Sequence, residues 1–468
     1  MKERTEEKGV PADIPPLVDT HCHLEMARFD KDRDAVIERA REAGLAAMIT
    51  VGSDPESNRK ALALALAHEG VYAAVGIHPH DAQLFTPALR EELRAWLGRE
   101  KVVAVGETGL DYHYEHSPRE VQREVFRAHL ALAREAGLPA VIHSREATQD
   151  TVGILREAGV TKGVLHCFSG DRELLRTAAA LGLYVSVAGP VTFPRAHELR
   201  EAVKTIPDEY LLLETDAPYL APVPRRGKRN EPAYVLHTAR EVAALREVSL
   251  EDVARMTTLN AGKLFGVAAV PTEGAIVYKI RRSLYLNITN RCTNRCSFCV
   301  RFHSDFVKGH NLRLRREPAL EELQAAIGDP AGYAEVVFCG YGEPLMRLDL
   351  VRELARWVKG RGGRVRINTN GHGNLIHGRN ILPELRGLVD EVSVSLDAPD
   401  ENTYRELCHP VFGGAFAGVL DFIREAKKHI PVVRATVVEA PGVDVRKCKE
   451  LAAELGIPLK VRSLHEVG

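Results

Sequence analysis

The chain has 468 residues, 45% of them hydrophobic and 27% charged, with a net charge of −1. That length predicts about two or three domains, and the globular composition excludes a low-complexity or disordered chain. The near-neutral balance, slightly acidic in the N-terminal part and slightly basic in the C-terminal part, excludes a bulk field that draws in nucleic acid or membrane.

Residues 1–16, MKERTEEKGVPADIPP, are polar and read as a disordered tail. They lack the apolar core of a signal peptide, and no later run approaches the ~20 apolar residues of a membrane span. A cytoplasmic protein without membrane contact is expected. There thiols stay reduced, so the eight cysteines read as metal ligands, catalytic groups or small core residues.

From residue 17 short apolar runs recur: 16–23, 46–52, 72–79, 102–111, 139–145, 163–170, 184–191 and 211–218. Amphipathic stretches separate them, such as REVQREVFRAHLALAREAG at 119–137, closed by a glycine. Alternating strand and helix patterns predict an α/β chain whose residues 17–266 form a (βα)8 TIM-type barrel. His21, His23, His78, Glu107, His143, His166 and Asp216 all fall at or just past the C-terminal ends of the strands, where barrel enzymes build their sites. His21 and His23, two apart on a strand, share a face. Any one of these histidines has a bland reading as a hydrogen-bonded core residue. Four of these imidazoles with the two carboxylates already exceed what one catalytic zinc with an open position takes, and suit two metals bridged by a carboxylate. By strand alternation Cys22 and Cys167 point away from such a centre, into the core.

The stretches DTHCHL (19–24), GIHPH (76–80), GETGLDY (106–112), IHSREA (142–147), HCFSG (166–170), ETDAPYLAP (214–222), RGKRNEP (226–232) and TTLNAGKLFG (257–266) resemble the TatD family of metal-dependent deoxyribonucleases, barrels of the amidohydrolase-like kind. The resemblance implies a phosphodiesterase acting on DNA or a nucleotide substrate. It implies metal-ligand roles for His21, His23, Glu107, His143, His166 and Asp216 on two divalent ions (Mg2+, Mn2+ or Zn2+). Glu107 is then the bridge, and Glu107, Asp216 and His78 are catalytic, His78 standing close to the substrate phosphate. PRRGKR (224–229) adds Arg225, Arg226, Lys228 and Arg229, read either as a solvated basic loop or, beside a two-metal site, as contacts to backbone phosphates. A barrel acting on a non-nucleic-acid substrate stays open as the alternative.

Residues 267–280 read as a linker or an edge hairpin. Beyond it, strand-like runs at 283–289, 334–342, 364–371, 391–398, 432–439 and 458–464 alternate with helical ones. They predict a partial (βα)6 barrel over 281–468. Cys292, Cys296 and Cys299 follow the first of these runs as CTNRCSFC. A structural zinc site takes four ligands; three thiolates in one loop fit a 4Fe–4S cluster with one open iron. The CxxxCxxC spacing, with Phe298 before the third cysteine, resembles the radical SAM superfamily, and more narrowly the radical SAM proteins linked to TatD nucleases. There the open iron takes S-adenosylmethionine and a reduced cluster cleaves it to a 5′-deoxyadenosyl radical. The resemblance implies a reducing electron donor such as a flavodoxin or ferredoxin. CGYGEPL (339–345) resembles the motif that meets the SAM amino group, which points to Gly340, Gly342, Glu343 and Pro344, with Tyr341 where a glycine is common. Asn368, Asn370, Ser395 and Asp397, at the next two strand ends, are candidates for its ribose and carboxylate. Cys408 reads as buried or as facing a substrate, and Cys448 as structural. A domain that senses or regulates through its cluster is the alternative to turnover, and the sequence leaves radical substrate and oligomeric state open.

Overall fold

A computed structural model of the chain describes residues 14–463. Thirteen residues of the expected tail, and position 464 of the last expected strand, lie outside the described residues. The chain divides into two compact units between Val270 and Pro271.

In the first unit eight strands run in the order of the sequence: β1 (Leu17–Cys22), β2 (Leu45–Val51), β3 (Val71–Val75), β4 (Val102–Asp111), β5 (Ala140–Arg145), β6 (Gly163–Leu165), β7 (Tyr184–Val187) and β8 (Leu211–Leu213). Each pairs parallel with the next, and a parallel bridge between Cys22 and Ala217 brings the last strand back to the first. The backbone bonds Asp216 N–H to His21 O (2.8 Å) and His23 N–H to Ala217 O (2.7 Å) fasten this closure at the C-terminal rim. Asp19, fully buried, adds to it by accepting from the backbone N–H and the hydroxyl of Thr215.

Two apolar layers hold the unit. One lies between strands and outer helices. The other fills the barrel interior with small and branched side chains, among them Val18, Ile49, Ala74, Val103 and Leu212. Ala261, Leu264 and Phe265, at the end of the helix Leu250–Phe265, join the inner layer and plug the N-terminal end. That helix begins in a reciprocal Ser249–Asp252 capping box and ends at Gly266 in the left-handed region (φ 72°). With the lower barrel packed solid, only the upper rim is left for polar side chains.

The second unit carries β9 (Val277–Ile280), β10 (Ser283–Leu286), a two-residue ribbon of β11 (Phe306–Val307) and β12 (His310–Asn311), then β13 (Glu335–Phe338), β14 (Val365–Thr369), β15 (Glu391–Ser395), β16 (Val432–Glu439) and β17 (Leu459–Ser463). The main sheet has the order β17-β16-β15-β14-β13-β10-β9. Its six strands from β10 to β17 are parallel, as (βα)6 units require, while β9 pairs antiparallel on β10. The stretch expected as linker, 267–280, therefore ends as an edge strand, the hairpin form of that expectation: Tyr278 stacks on Tyr285 with ring centroids 5.2 Å apart.

Strand alternation gives this sheet two unlike faces. Leu284, Leu286, Val336, Phe338, Ile367, Val392 and Val394 belong to the core shared with the helices. On the other face the register aligns Asn368 with Ser393 and Arg434, and Ser395 with Thr436 and Lys460. A row of polar side chains on a central sheet costs stability unless something polar is to be held there.

Candidate functional site

The strand ends of the first unit surround a cavity of 990 Å³, lined by His23, His78, Glu107, His143, His166 and Asp216. His21 lies just beneath, fully buried. Glu107, in the middle of β4, is the hub. Its Oε2 lies 3.4 Å from His21 Nε2 and 3.9 Å from His23 Nε2. Its Oε1 lies 2.9 Å from His143 Nδ1, 2.8 Å from His166 Nε2 and 3.4 Å from His78 Nε2. Asp216 completes the first side, with Oδ1 at 3.4 Å from His23 Nε2 and 3.8 Å from His21 Nε2. Asp216 sits in the left-handed region at φ 56°, a costly backbone held by the β1–β8 closure. Donor atoms of His21, His23 and Glu107 form one compact group, and those of His78, Glu107 and His143 another.

The outer nitrogens of His143 and His23 are hydrogen-bonded, whereas His21 Nδ1 and His166 Nδ1 are buried without a hydrogen bond. His143 Nε2 donates to Asp111 Oδ2 at 3.0 Å. His23 Nδ1 faces Val51 O at 2.8 Å and Glu25 Oε1 at 3.3 Å. His166 Nδ1 lies 3.5 Å from Glu214 Oε1. An imidazole that gives its outer N–H to a carboxylate or carbonyl turns a lone pair inward, which is the arrangement metal-binding histidines use. Asp111, Glu25 and Glu214 were not singled out from the sequence. The signal was there, two residues before Asp216 and two after His23.

Burial pushes the Glu107 carboxyl up, but His166, His78 and His143 outweigh it and hold it well below the usual range. Burial lowers His166, and the carboxylates of Glu107 and Glu214 more than reverse this. His78 is pushed down to about 4 by burial. A desolvated knot of imidazoles and carboxylates with inward lone pairs is the donor set of a divalent-metal centre, so the residues present fit the group.

Two expectations change. Cys22 is buried, its thiol on Ile49 O at 3.3 Å, but Cys167 lines the cavity. β6 ends at Leu165 and Cys167 takes φ 44°, so strand alternation does not reach it. In the basic loop Arg229 is committed elsewhere, bonding Asp32 through both terminal nitrogens at 2.7 Å. Arg226 stacks over Phe193 and Arg225 over Tyr234. None of the four basic side chains lines the cavity, which ends on this side at Tyr219 and Leu220.

In the second unit Cys292, Cys296 and Cys299, all half-buried, lie in the loop that leaves β10. The loop is pinned by Arg295 N–H to Cys408 O and Ser297 N–H to Leu407 O, both 2.9 Å. Cys292 Sγ accepts from Asn294 N–H at 3.4 Å and from Asn370 Nδ2 at 3.7 Å. Behind it runs a closed chain: Asn294 Nδ2 donates to Tyr404 Oη, which meets His372 Nε2, whose Nδ1 meets Thr293 Oγ1. Phe298 packs on the core. Burial drives the Cys292 thiol up to about 12; beside Cys408, Cys296 is pushed up too. Three desolvated soft donors with no imidazole or carboxylate among them fit an iron–sulfur cluster. Cys408 is fully buried behind the loop, and Cys448 is buried in its helix.

Gly340 and Gly342 have a packing reason. A Cβ on Gly342 would meet Arg291 O at 2.2 Å, and one on Gly340 would meet Asn287 Oδ1 at 2.3 Å. They let the strand-end turn press against the cysteine loop, fastened by Glu343 N–H to Arg291 O at 2.8 Å. Glu343 accepts from Leu345 N–H, Thr369 Oγ1 and Asn370 N–H, and Pro344 starts the short helix after it. Burial still raises its carboxyl to about 7. Asn368 takes Arg366 on its oxygen and leaves Nδ2 buried without a partner. Ser395 lies on the polar face, and Asp397 beyond it at φ 52°. Asn370 is turned to Thr293 and Cys292.

The sequence profile of TatD related DNases matches residues 18–266, and that of the radical SAM superfamily matches residues 286–455. Over 257 residues the chain is 45% identical to YabD of Bacillus subtilis, described as an uncharacterized metal-dependent hydrolase, covering 54% of this chain and 99% of that protein. It is 39% identical over 259 residues to a protein of Erwinia amylovora described as the 3′-5′ ssDNA/RNA exonuclease TatD, covering 54% and 100%. The crystal structure of YjjV, a TatD homologue of Escherichia coli, superposes on 53% of this chain and 98% of its own, with a TM-score of 0.51 and 32% identity.

Proposed function

We propose, for a chain that belongs to the TatD related DNase family and carries a radical SAM domain in its second half, that it is a bifunctional enzyme. Its barrel hydrolyses phosphodiester bonds of DNA or a related nucleotide substrate. Its second domain generates a SAM-derived radical.

The observation that carries the first half is the division of Glu107. One oxygen faces His21 and His23, the other His143 and His166. Two divalent ions would be held there, one by His21, His23, Asp216 and Glu107, the other by Glu107, His143 and His166. When bound, they supply Lewis-acid stabilisation of the charge that builds on phosphate oxygens. The chain's own part is orientation. Asp111 and Glu25 fix which nitrogen of His143 and His23 faces inward, Glu214 stands beside His166, and half-buried His78, kept neutral, stands where a substrate phosphate reaches Glu107. Arg225, Arg226 and Lys228 lie farther out, placed for the trailing strand.

In the second domain Cys292, Cys296 and Cys299 would hold a 4Fe–4S cluster with one iron left to SAM. Reduced by a flavodoxin or ferredoxin, that pair supplies a 5′-deoxyadenosyl radical. Glu343 stands ready for the SAM amino group, and Asn368, Ser395 and Asp397 for its ribose and carboxylate, while Asn370 and the buried chain behind Cys292 hold the loop in place.

The test pairs two assays on the full chain. Chelated protein is resupplied with Mg2+, Mn2+ or Zn2+ and offered oligonucleotides beside a panel of amides and esters. Anaerobically reconstituted, reduced protein is offered SAM and assayed for 5′-deoxyadenosine. Hydrolysis confined to amides or esters overturns the nuclease half, and absence of 5′-deoxyadenosine with a full iron and sulfide content overturns the other.

A further inference from the structure

The metal centre leaves the rim of its cavity unexplained. Two large rings stay exposed there, Tyr114 (53%) and Tyr219 (40%), and both line the cavity. A single exposed aromatic is ordinary; the placement of this pair is not. Tyr114 follows β4 and Tyr219 follows β8. In a barrel whose strands are ordered β1 to β8, these two lie four strands apart, so the rings rise from opposite sides of the mouth.

Each ring stands close to the centre. Tyr219 is edge-on to His23, with centroids 6.2 Å apart. Tyr114 is edge-on to His80 at 5.6 Å, and His80 in turn meets His78 at 4.3 Å. Each also carries a guanidinium: Arg145 lies 4.8 Å from the centroid of Tyr114, and Arg28 lies 5.2 Å from that of Tyr219. Both arginines are exposed, and neither side chain has an ion-pair partner among the described residues. His116 also lies parallel to Tyr114, with centroids 5.7 Å apart, and both tyrosines still stay substantially exposed. An exposed ring with an arginine on one face that has no ion-pair partner among the described residues, repeated on two sides of one cavity, is what a single-stranded polynucleotide asks of its binding site: a platform for a base and a cation for the adjoining phosphate.

We propose that Tyr114 and Tyr219 form a base clamp, each stacking one nucleobase of a single-stranded polynucleotide across the bond to be cut, with Arg145 and Arg28 pairing the flanking phosphates. This rests on the phosphodiesterase reading and adds to it the residues that select the substrate. Stacking is blind to sequence, because every base has a π face. It is not blind to strandedness. In a duplex both faces of each internal base are covered by neighbours, and exposing them costs a few kcal/mol per base. The clamp therefore favours single strands and frayed ends over intact duplex.

The experiment uses the full chain with its divalent metal and three DNA probes of one sequence: a single strand, the same strand with abasic residues at the bases nearest the cut, and a blunt duplex. Tyr114→Ala and Tyr219→Ala should each weaken the single strand by about 5- to 150-fold per lost base stack. The loss should appear in KM more than in kcat, and Tyr114→Phe and Tyr219→Phe should restore it. The abasic strand should bind wild type as weakly as the alanine variants bind the intact strand, and neither alanine substitution should weaken it further. If wild type cleaves intact and abasic strands with equal KM, or the alanine variants keep the wild-type KM, the clamp is overturned while the phosphodiesterase reading stands. If wild type cleaves no phosphodiester with any of the metals, the phosphodiesterase reading falls and the clamp falls with it.

Discussion

Replacing Asp111 by Asn tests whether the carboxylates behind the imidazoles set the metal centre. The two side chains are nearly isosteric, and the site is buried, 1% exposed. Asp111 Oδ1 accepts from the backbone N–H groups of His113 and Tyr114, both at 3.0 Å. Those donors cannot reverse, so the asparagine must keep its oxygen there and swing its NH2 to the Oδ2 position. Oδ2 now accepts from His143 Nε2 at 3.0 Å and lies 3.2 Å from His80 Nε2. Faced with an NH2 donor, His143 Nε2 must become an acceptor, and its proton moves to Nδ1, 2.9 Å from Glu107 Oε1. The lone pair that would meet a metal is then lost. Loss of such an orienting partner costs 10- to 100-fold in metal affinity, about 1.4–2.7 kcal/mol. Competition against a chromophoric chelator reads the two sites separately. The site on the His143 side should weaken by that factor and the site on the His21 and His23 side should hold. Hydrolysis should return as metal is raised to saturation. Wild-type affinity at both sites would refute the orienting role.

Further outcomes follow from other parts of the fold. Glu107→Ala should empty both metal sites and lower hydrolysis by orders of magnitude; retention of one ion by elemental analysis would show that Glu107 does not bridge. Cys292→Ala, Cys296→Ala or Cys299→Ala should each abolish the cluster's EPR signal and 5′-deoxyadenosine formation, whereas Cys408→Ala should keep full iron and sulfide; equal loss in Cys408→Ala would make it a ligand. Neutralising Arg226 and Lys228 together should reduce the salt slope of single-strand binding by about 1.4, from ~0.7 per phosphate contact, with an unchanged slope leaving the loop as plain surface. His129 is fully buried and neutral, accepting from Ile77 N–H at 3.0 Å, and burial pushes it down to about 4 from 6.5. The unfolded chain takes up a proton that the fold refuses, so this stability is whole above pH 6.5 and is lost as pH falls toward 4. The loss is about 3 kcal/mol. Thermal unfolding of His129→Gln should lack that part of the acid slope, and a slope equal to wild type would disprove it.

The barrel, the partial barrel and the clustering of the candidate residues were legible because they depend on where residues stand along strands. Parallel strands of a closed sheet bring their C-terminal halves together wherever the helices run, so His21, Glu107 and His143, within β1, β4 and β5, converge with His166 and Asp216, just past β6 and β8, from segments far apart in sequence. The cysteine loop was legible for the same reason. Roles that depend on a side chain's partner were not. Asp111 acts only because His143 turns its outer nitrogen toward it, and no spacing in the sequence encodes a ring's tautomer. Arg229 looked equivalent to Arg226, yet the path of the loop returns it to Asp32, 197 residues earlier. Asn370, two residues on from Asn368, would share its face by alternation, but β14 ends at Thr369 and the chain beyond it turns Asn370 to Thr293 and the Cys292 thiol. Position on a strand thus identifies which residues reach a site. What each does there is decided by the hydrogen-bond partner it meets, and in this chain those partners come from distant segments.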